Sequence, residues 1–434
     1  MTKTRNQRYR LLLNGGIDGS TSLLYKFAED KSLIARIGPT LSITRTTNSA
    51  SYFNSGGLMK YAGAGEARFD HHPRTGESVG LLVEPQRTNR CLQNTNLGTT
   101  WTKNADATIN LNQAVAPDGG VSMDEIVDAG GGGERTNVHA IQAITLPSAG
   151  TYSASAYVTH GGGSSDWIAI QTRLYDEAGS SYCYFDLANG VAGTPAGCDN
   201  VGMEYLGNNR YRCWISFSTT TDLIGELRLW VGVGDADSTI PASDGTYNHY
   251  FWGMQVELGD TPSSMIPTTT AVKSRNSDYV ITNDVSWFNA AACAVYTEAA
   301  SMWDCVATSQ IVALTDGSNT DRIVPYTDVT RFARLHVSSS GGAGVSLTSA
   351  SSSKYTARNF VKSAGSLRAN DVEFYVNGER TGTGDQSYAI PEGISEMTVG
   401  VAAGGTTEPW LGHIKEIRWY NEYKERDYLD SITI

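Results

Sequence analysis

No stretch of this 434-residue sequence approaches the roughly 20 consecutive apolar residues needed to cross a bilayer, and Leu11, Leu12 and Leu13 are too few for a signal-peptide core. The expectation is a soluble chain made in the cytoplasm, with no membrane insertion. Charge is also scarce, at 18% of residues, and 33 Lys and Arg against 45 Asp and Glu give a net charge of -12. Nucleic-acid binding therefore lacks its usual electrostatic footing. The six cysteines (Cys91, Cys183, Cys198, Cys213, Cys293 and Cys305) show no C-x-x-C spacing, which argues against a zinc site or redox motif and leaves buried free thiols as the default. Gly-x-Ser-x-Gly and Gly-x-x-x-x-Gly-Lys are missing too, so no nucleophile elbow, phosphate loop or cofactor is expected.

What is abundant is glycine, with 46 residues, beside many Ser and Thr and 40% hydrophobic residues. That mixture suits short strands joined by many turns, and the length suits roughly two or three domains. The fold class expected is all-β, with two β-sandwich (jelly-roll) domains after an extended N-terminal segment. From about residue 102 to 266 apolar and polar residues alternate, the mark of strands with one buried face. Tyr211, Cys213, Ile215 and Phe217 share one side, as do Leu227, Leu229, Val231 and Val233, and then Tyr250, Trp252, Met254, Val256 and Leu258. Turn signals separate them at Asn189-Gly190, Gly207-Asn208-Asn209 and Gly161-Gly162-Gly163. Residues 262–270 (PSSMIPTTT) read as a linker.

Beyond the linker, Val372, Phe374 and Val376 alternate into Asn377-Gly378, a strong hairpin signal. Gly412-His413-Ile414-Lys415-Glu416-Ile417 reads as a late strand, and Glu425, Leu429 and Ile432 give the single helical spacing. Residues 1–95 differ, with apolar clusters but no sustained period, and are expected to lie extended over other chains or domains. Lys3, Arg5, Arg8 and Arg10 form a basic arm at their start, read either as a solvated terminus or as a tether to an acidic surface.

Ala67-Arg68-Phe69-Asp70-His71, Gly76-Glu77-Ser78, Gly80-Leu81-Leu82-Val83-Glu84 and Arg87-Thr88-Asn89 together resemble a segment of bacteriophage structural proteins that precedes a carbohydrate-binding-module-like jelly roll. The likeness continues through Trp101, Ala116-Pro117-Asp118-Gly119, residues 152–158 and 207–213, and residues 251–257 with 262–268. The C-terminal part resembles concanavalin-like or laminin-G-like sandwiches through residues 372–378 and 411–420, without the Glu-x-Asp-x-x-Glu strand of the glycosidase members. The resemblance implies a virion-docking segment at 1–95, a jelly roll at 96–270 and a concanavalin-like sandwich at 271–434.

Sugar recognition by a sandwich uses aromatic rings against a pyranose face. Trp230 and Trp214 lie opposite their strands' aliphatic side chains, with Arg228 and Arg212 beside them, and Trp410 follows Pro409 in a loop. These five are the candidate ligand-binding residues, and cross-strand packing under loops or neighbours is their commoner use. Asp371 with Glu373, and Asp235 with Asp237, are the available carboxylate pairs, but neither has an apolar setting that raises one pKa, so no catalytic residue is assigned. His71 and His72 beside Asp70 point to opposite sides of a strand, and the Asp235-Ala236-Asp237-Ser238 loop is too short for a dedicated calcium site, so no metal is expected. The resemblance points to a non-enzymatic virion surface fibre, spike or decoration protein. Its expected partners are other virion proteins (capsid, portal or tail), a host surface polysaccharide, and copies of itself, with a trimer the count that the class favours. A purely structural spacer and an envelope polysaccharide depolymerase are the rival readings.

Overall fold

The computed structural model describes residues 17–175, 179–304, 307–318, 320–339, 344–349, 354–381, 389–405 and 407–434. The basic arm of Lys3, Arg5, Arg8 and Arg10 lies outside them, as does Cys305. The other five cysteines are free thiols, four of them buried.

The alternating middle of the chain forms two six-stranded antiparallel sheets packed face to face. One, here the docked sheet, runs in the order Asn200–Gly207, Arg210–Thr219, Gly150–His160, Asn248–Leu258, Val121–Asp128, Ala107–Val115. The other, the open sheet, runs Val191–Ala192, Ser180–Asp186, Trp167–Arg173, Ile224–Gly232, His139–Thr145, Thr102–Lys103. Tyr211, Cys213, Ile215 and Phe217 meet Leu227, Leu229 and Val231 in the core between them. The Asn208-Asn209 turn holds both central residues at positive φ, 55° and 56°, which closes the hairpin into Arg210–Thr219.

One face assignment is corrected. Register slips by a residue where Ser155 pairs Gln255 but Tyr157 pairs Trp252, a β-bulge at Gly253, whose φ is +64°. Met254 and Val256 therefore face the jelly-roll core, while Tyr250 and Trp252 are turned to the other side with Tyr157 and Met265.

The second sandwich is built from both ends of the chain. Its first sheet runs Glu379–Arg380, Asp371–Val376, Val361–Arg368, Ala292–Ser301, Gly412–Tyr420, Ser78–Val83, Phe69–His71. Its second runs Ser42–Thr44, Tyr279–Thr282, Glu396–Val399, Val312–Thr315, Arg322–Thr327, Ala333–Ser338, Val345–Thr348. Asn377 and Gly378, at φ 50° and 78°, make the expected hairpin, with Val376 opposite Glu379. The helix Arg426–Thr433 packs Leu429 and Ile432 against Tyr296, Ala364 and Tyr375 on the outside of the first sheet.

Residues 17–95 are thus not a leader lying apart from the sandwich. Gly412–Tyr420 is bordered on one side by Ala292–Ser301 and on the other by two N-terminal strands: Thr21–Lys26 along its second half and Ser78–Val83 along its start. Ser42–Thr44 adds an edge to the second sheet. Leu23, Tyr25, Phe27, Leu81 and Val83 sit in the same core as Val295, Ile414, Ile417 and Trp419. The absence of a period in this region has a physical reason. Ser78–Val83 is buried on both faces, and a strand covered on both sides needs no polar alternate residues.

The expected linker is likewise buried. Thr261, Pro262, Ser263, Ser264, Met265 and Ile266 form a strap across the outer side of the docked sheet, pressed between it and the second sandwich. Four ionised side chains with no exposed surface lie under it in a continuous network with Arg275. Arg45 bonds Asp278 at 2.5 Å, Arg68 bonds both Asp278 and Glu84, and Arg275 reaches Glu84 at 3.2 Å. Ser264 donates its backbone N–H to Glu84 at 2.7 Å, and Ser263 donates its N–H and hydroxyl to Glu257 of the jelly roll, each at 2.6 Å. Burial alone would raise the Glu84 carboxyl, but Arg275 and Arg68 override it and hold it well below the usual carboxylate range. Three of the four blocks of the phage-like segment are placed here: Arg68 and Glu84 in the network, Asp70 accepting from buried His413 at 2.8 Å, and Asn89 donating to the carbonyls of Met254 and Ile266, while Glu77 of the fourth is exposed beside Lys415.

Candidate functional site

The jelly roll has two outer faces, and docking leaves one of them free. The outer side of the docked sheet carries Arg212, Trp214, Tyr157 and Trp252, all buried beneath the strap and the second sandwich. On the open sheet, strand pairing sets outward side chains in rows. One row is Tyr184, Ala169, Trp230, His139; the next is Tyr182, Gln171, Arg228, Ile141; the third is Ser180, Arg173, Glu226, Ala143. The alternate residues, Ile168, Ile170, Leu227, Leu229 and Val231, fill the core behind. This is the period-two rule at work: each strand spends one face on packing and offers the other.

Trp230 is half-buried and organises the middle of the face. Its indole lies against the His139 ring, centroids 3.9 Å apart and 33° between planes, and its Nε1–H donates to Gln171 Oε1 at 3.0 Å. Burial, with the charge of Arg228, pushes His139 down to about 4, so a neutral imidazole backs the indole at pH 7. Arg228 is held by Glu226 at 2.7 Å. Buried Ala169 is the small floor between Tyr184 and Trp230, and no described residue accepts from the Gln171 amide nitrogen. A flat ring, an amide donor and an ion pair side by side can cover a sugar face and bond its hydroxyls. Glu226 is the one carboxylate in these three rows and is tied to arginine, so they hold no pair for acid–base hydrolysis.

The five expected ligand residues therefore separate. Trp230 and Arg228 lie on the open face. Trp214 does not: it stands edge-on to Trp303, centroids 5.4 Å apart, over Gly202, where any Cβ would meet the indole at 2.4 Å. Arg212 donates to the Ser263 carbonyl at 2.6 Å and lies over the Tyr157 ring. Trp410 is in the core of the second sandwich, edge-on to Tyr355. These three are unavailable to a ligand, because the surfaces they would have offered are spent on docking and core packing. His139 and Gln171 are missed by sequence reasoning. Reading the outward alternates of Trp167–Arg173, as was done for Ile224–Gly232, finds Gln171.

The remaining candidates are occupied internally. Asp371 pairs Arg368 at 2.7 Å, and Glu373 is clamped by Arg380 and Arg426 at 2.7 and 2.6 Å. Asp235 accepts from the Thr194 N–H and hydroxyl, and Asp237 from the Thr239 N–H. His71 Nδ1 lies 3.1 Å from the Phe53 carbonyl, and His72 Nδ1 accepts from the Arg74 N–H. Among the described residues no group of His, Cys, Asp or Glu is arranged to hold a metal ion, and no helix is long and apolar enough to cross a membrane.

Residues 274–427 match the concanavalin A-like lectin/glucanases superfamily. The match begins after the N-terminal strands that complete the same sandwich. No curated protein matches the chain. Among solved structures it is similar to the CBM40 of the Ruminococcus gnavus IT-sialidase bound to alpha2,3 sialyllactose, at 14% identity and TM-score 0.30, over 33% of this chain and 83% of that one. It is also similar to the NanB sialidase of Streptococcus pneumoniae, at 13% identity and TM-score 0.31, over 35% of this chain and 26% of that one. A third is domain 4 of AbnA, an extracellular arabinanase from Geobacillus stearothermophilus in complex with arabinotriose, at 14% identity and TM-score 0.30, over 36% of this chain and 73% of that one. Scores of this size do not transfer a ligand.

Proposed function

We propose that the chain is a non-enzymatic glycan-binding protein of a bacteriophage particle, holding host surface polysaccharide on the open face of its jelly roll. The observation that carries the reading is the asymmetry of that domain: one outer face is consumed by docking, and the other leaves Trp230, Gln171, Arg228 and Tyr182 partly exposed. A single shallow face of this kind binds weakly, and copies joined in an oligomer, a trimer by class, would gain through avidity. The virion assignment is supported by the segment from Ala67 to Asn89, whose likeness to phage structural proteins now has a physical role as the buried junction.

Binding of the full chain to an array of bacterial surface polysaccharides, beside Trp230→Ala, tests this. Binding by the parent and at least a tenfold loss in the variant is the expected result, from loss of about 1.4 kcal/mol or more of ring contact. Equal binding by the two proteins, or release of new reducing ends by either, would sink it. A spacer reading is favoured by one observation: Trp230 and Arg228 already have internal partners in Gln171 and Glu226. It predicts an array that stays blank.

A further inference from the structure

The connection from Gly150–His160 of the docked sheet to Trp167–Arg173 of the open sheet is held by two histidines. Gly162 donates its N–H to His160 Nδ1 at 2.8 Å, and Gly161 donates its N–H to His249 Nδ1 at 3.3 Å. A backbone N–H can only donate, so both Nδ1 atoms must be unprotonated acceptors. The other ring nitrogens agree. His160 Nε2 lies 2.7 Å from an Asp166 carboxylate oxygen, and His249 Nε2 lies 3.1 Å from Ser165 Oγ, whose own proton goes to the Gly232 carbonyl. The two rings sit edge to face with centroids 5.4 Å apart. The loop is pressed down hard, since a Cβ at Gly161 or Gly163 would overlap the carbonyls of Asn248 and Thr246.

We propose that His160 and His249 form an acid-released latch on this connection. A proton added to Nδ1 of either ring occupies the lone pair that accepts the glycine N–H, and two protons place like charges on adjacent rings, so the loop lifts and the start of Trp167–Arg173 is freed. Asp166, on the loop itself, is the acid that faces His160. The acids of the flanking strands are engaged elsewhere: Glu125 with Asn110 and Asn248, Asp128 with Ser243, Gly245 and Tyr247, and Asp186 with Ala188 and Asn189. Burial first, and then the His160 charge, pushes His249 down to about 3, which agrees with a ring kept neutral by the fold. A histidine lowered from its ordinary 6.5 contributes stability that is complete above that value and drains away as pH falls toward the folded one. The latch stands on the loop's geometry, whatever the open face holds.

Hydrogen exchange by mass spectrometry on the full chain tests it, comparing the peptide over residues 159–166 with a core peptide over 211–217, from about pH 7.5 to about pH 4.5 after correction for intrinsic rates. Protection of the loop peptide should fall at least tenfold below about pH 6.5 while the core peptide holds. His249→Asn and His160→Asn keep an acceptor near the Nδ1 position but cannot take the proton, and each should shrink the fall. A flat profile in the parent, a fall shared equally by the core peptide, or a fall undiminished in both variants would overturn the latch.

Discussion

The two sandwiches are made of similar strands but in opposite ways. The jelly roll is contiguous: its twelve sheet strands fall between residues 102 and 258, and its core draws otherwise only on Cys91, Leu97 and Trp101 just before them. The second sandwich is discontinuous, with Thr21–Lys26 lying against Gly412–Tyr420 across nearly the whole chain. The jelly roll is in effect an insertion between the first and second parts of its neighbour. A contiguous domain carries its folding information locally. A split one must wait for the chain to return, and the entropy of closing that long loop comes due before its contacts form.

The largest test of this contrast is to divide the chain. A fragment of residues 96–270 should melt cooperatively by circular dichroism while binding a hydrophobic dye through the uncovered Trp214, Tyr157 and Trp252. A fragment of residues 271–434 should show no cooperative melt, because Gly412–Tyr420 loses one whole flank and the core loses Leu23, Tyr25 and Leu81. A cooperative melt of 271–434 alone would erase the distinction.

Next comes the junction that ties the two together. Glu84→Gln leaves Arg275 and Arg68 buried beside a neutral group and should cost about 3–5 kcal/mol, with both sandwiches shifting in one calorimetric transition. Because the Glu84 carboxyl is depressed, its contribution is intact above the ordinary value of 4.5 and is lost only in strong acid. Parent stability should therefore show no Glu84-dependent change from about pH 5 to about pH 8. Two separate transitions in the variant would mean that the sandwiches are not coupled through this network.

The paired tryptophans sharpen the comparison within the jelly roll. Trp214→Ala should destabilise by about 3–5 kcal/mol, as a truncated buried ring does, while Trp230→Ala on the open face should cost about 1 kcal/mol or less by denaturant titration. Equal costs would place both on the same kind of surface. Between those two costs lies the bulge: Gly253→Ala sets a Cβ 2.8 Å from the Tyr157 ring at a φ of +64°, and a loss of about 1–2 kcal/mol is expected from the same titration.

Those tryptophans also show where sequence reading stops. Trp214 with Arg212 and Trp230 with Arg228 have the same local pattern, an aromatic and a cation opposite an aliphatic face. Only the neighbour that lands on one of them makes it core. The long strands of 102–258 were legible because the side each turns to its own core is apolar while the other keeps polar residues, Arg212 and Ser216 among them even on the docked face, so polarity alternates. Ser78–Val83 was not, since the same burial on both sides removes the alternation. Residues 262–270 read as a linker because Pro, Ser and Thr are linker residues in water. Within the strap, Ser263 and Ser264 instead supply donors to buried Glu257 and Glu84.

The clasp at the chain's two ends has a mechanical side. Lys424 Nζ reaches Asp18 at 2.8 Å and the hydroxyl of Ser20 at 2.5 Å, and the Asn421 N–H donates to the Ser20 carbonyl, just outside the Thr21–Tyr420 pair. Tension applied between residue 17 and residue 434 would peel these contacts one at a time. The load path ends in that strand pair, so the inserted jelly roll feels no pull until the outer frame has opened.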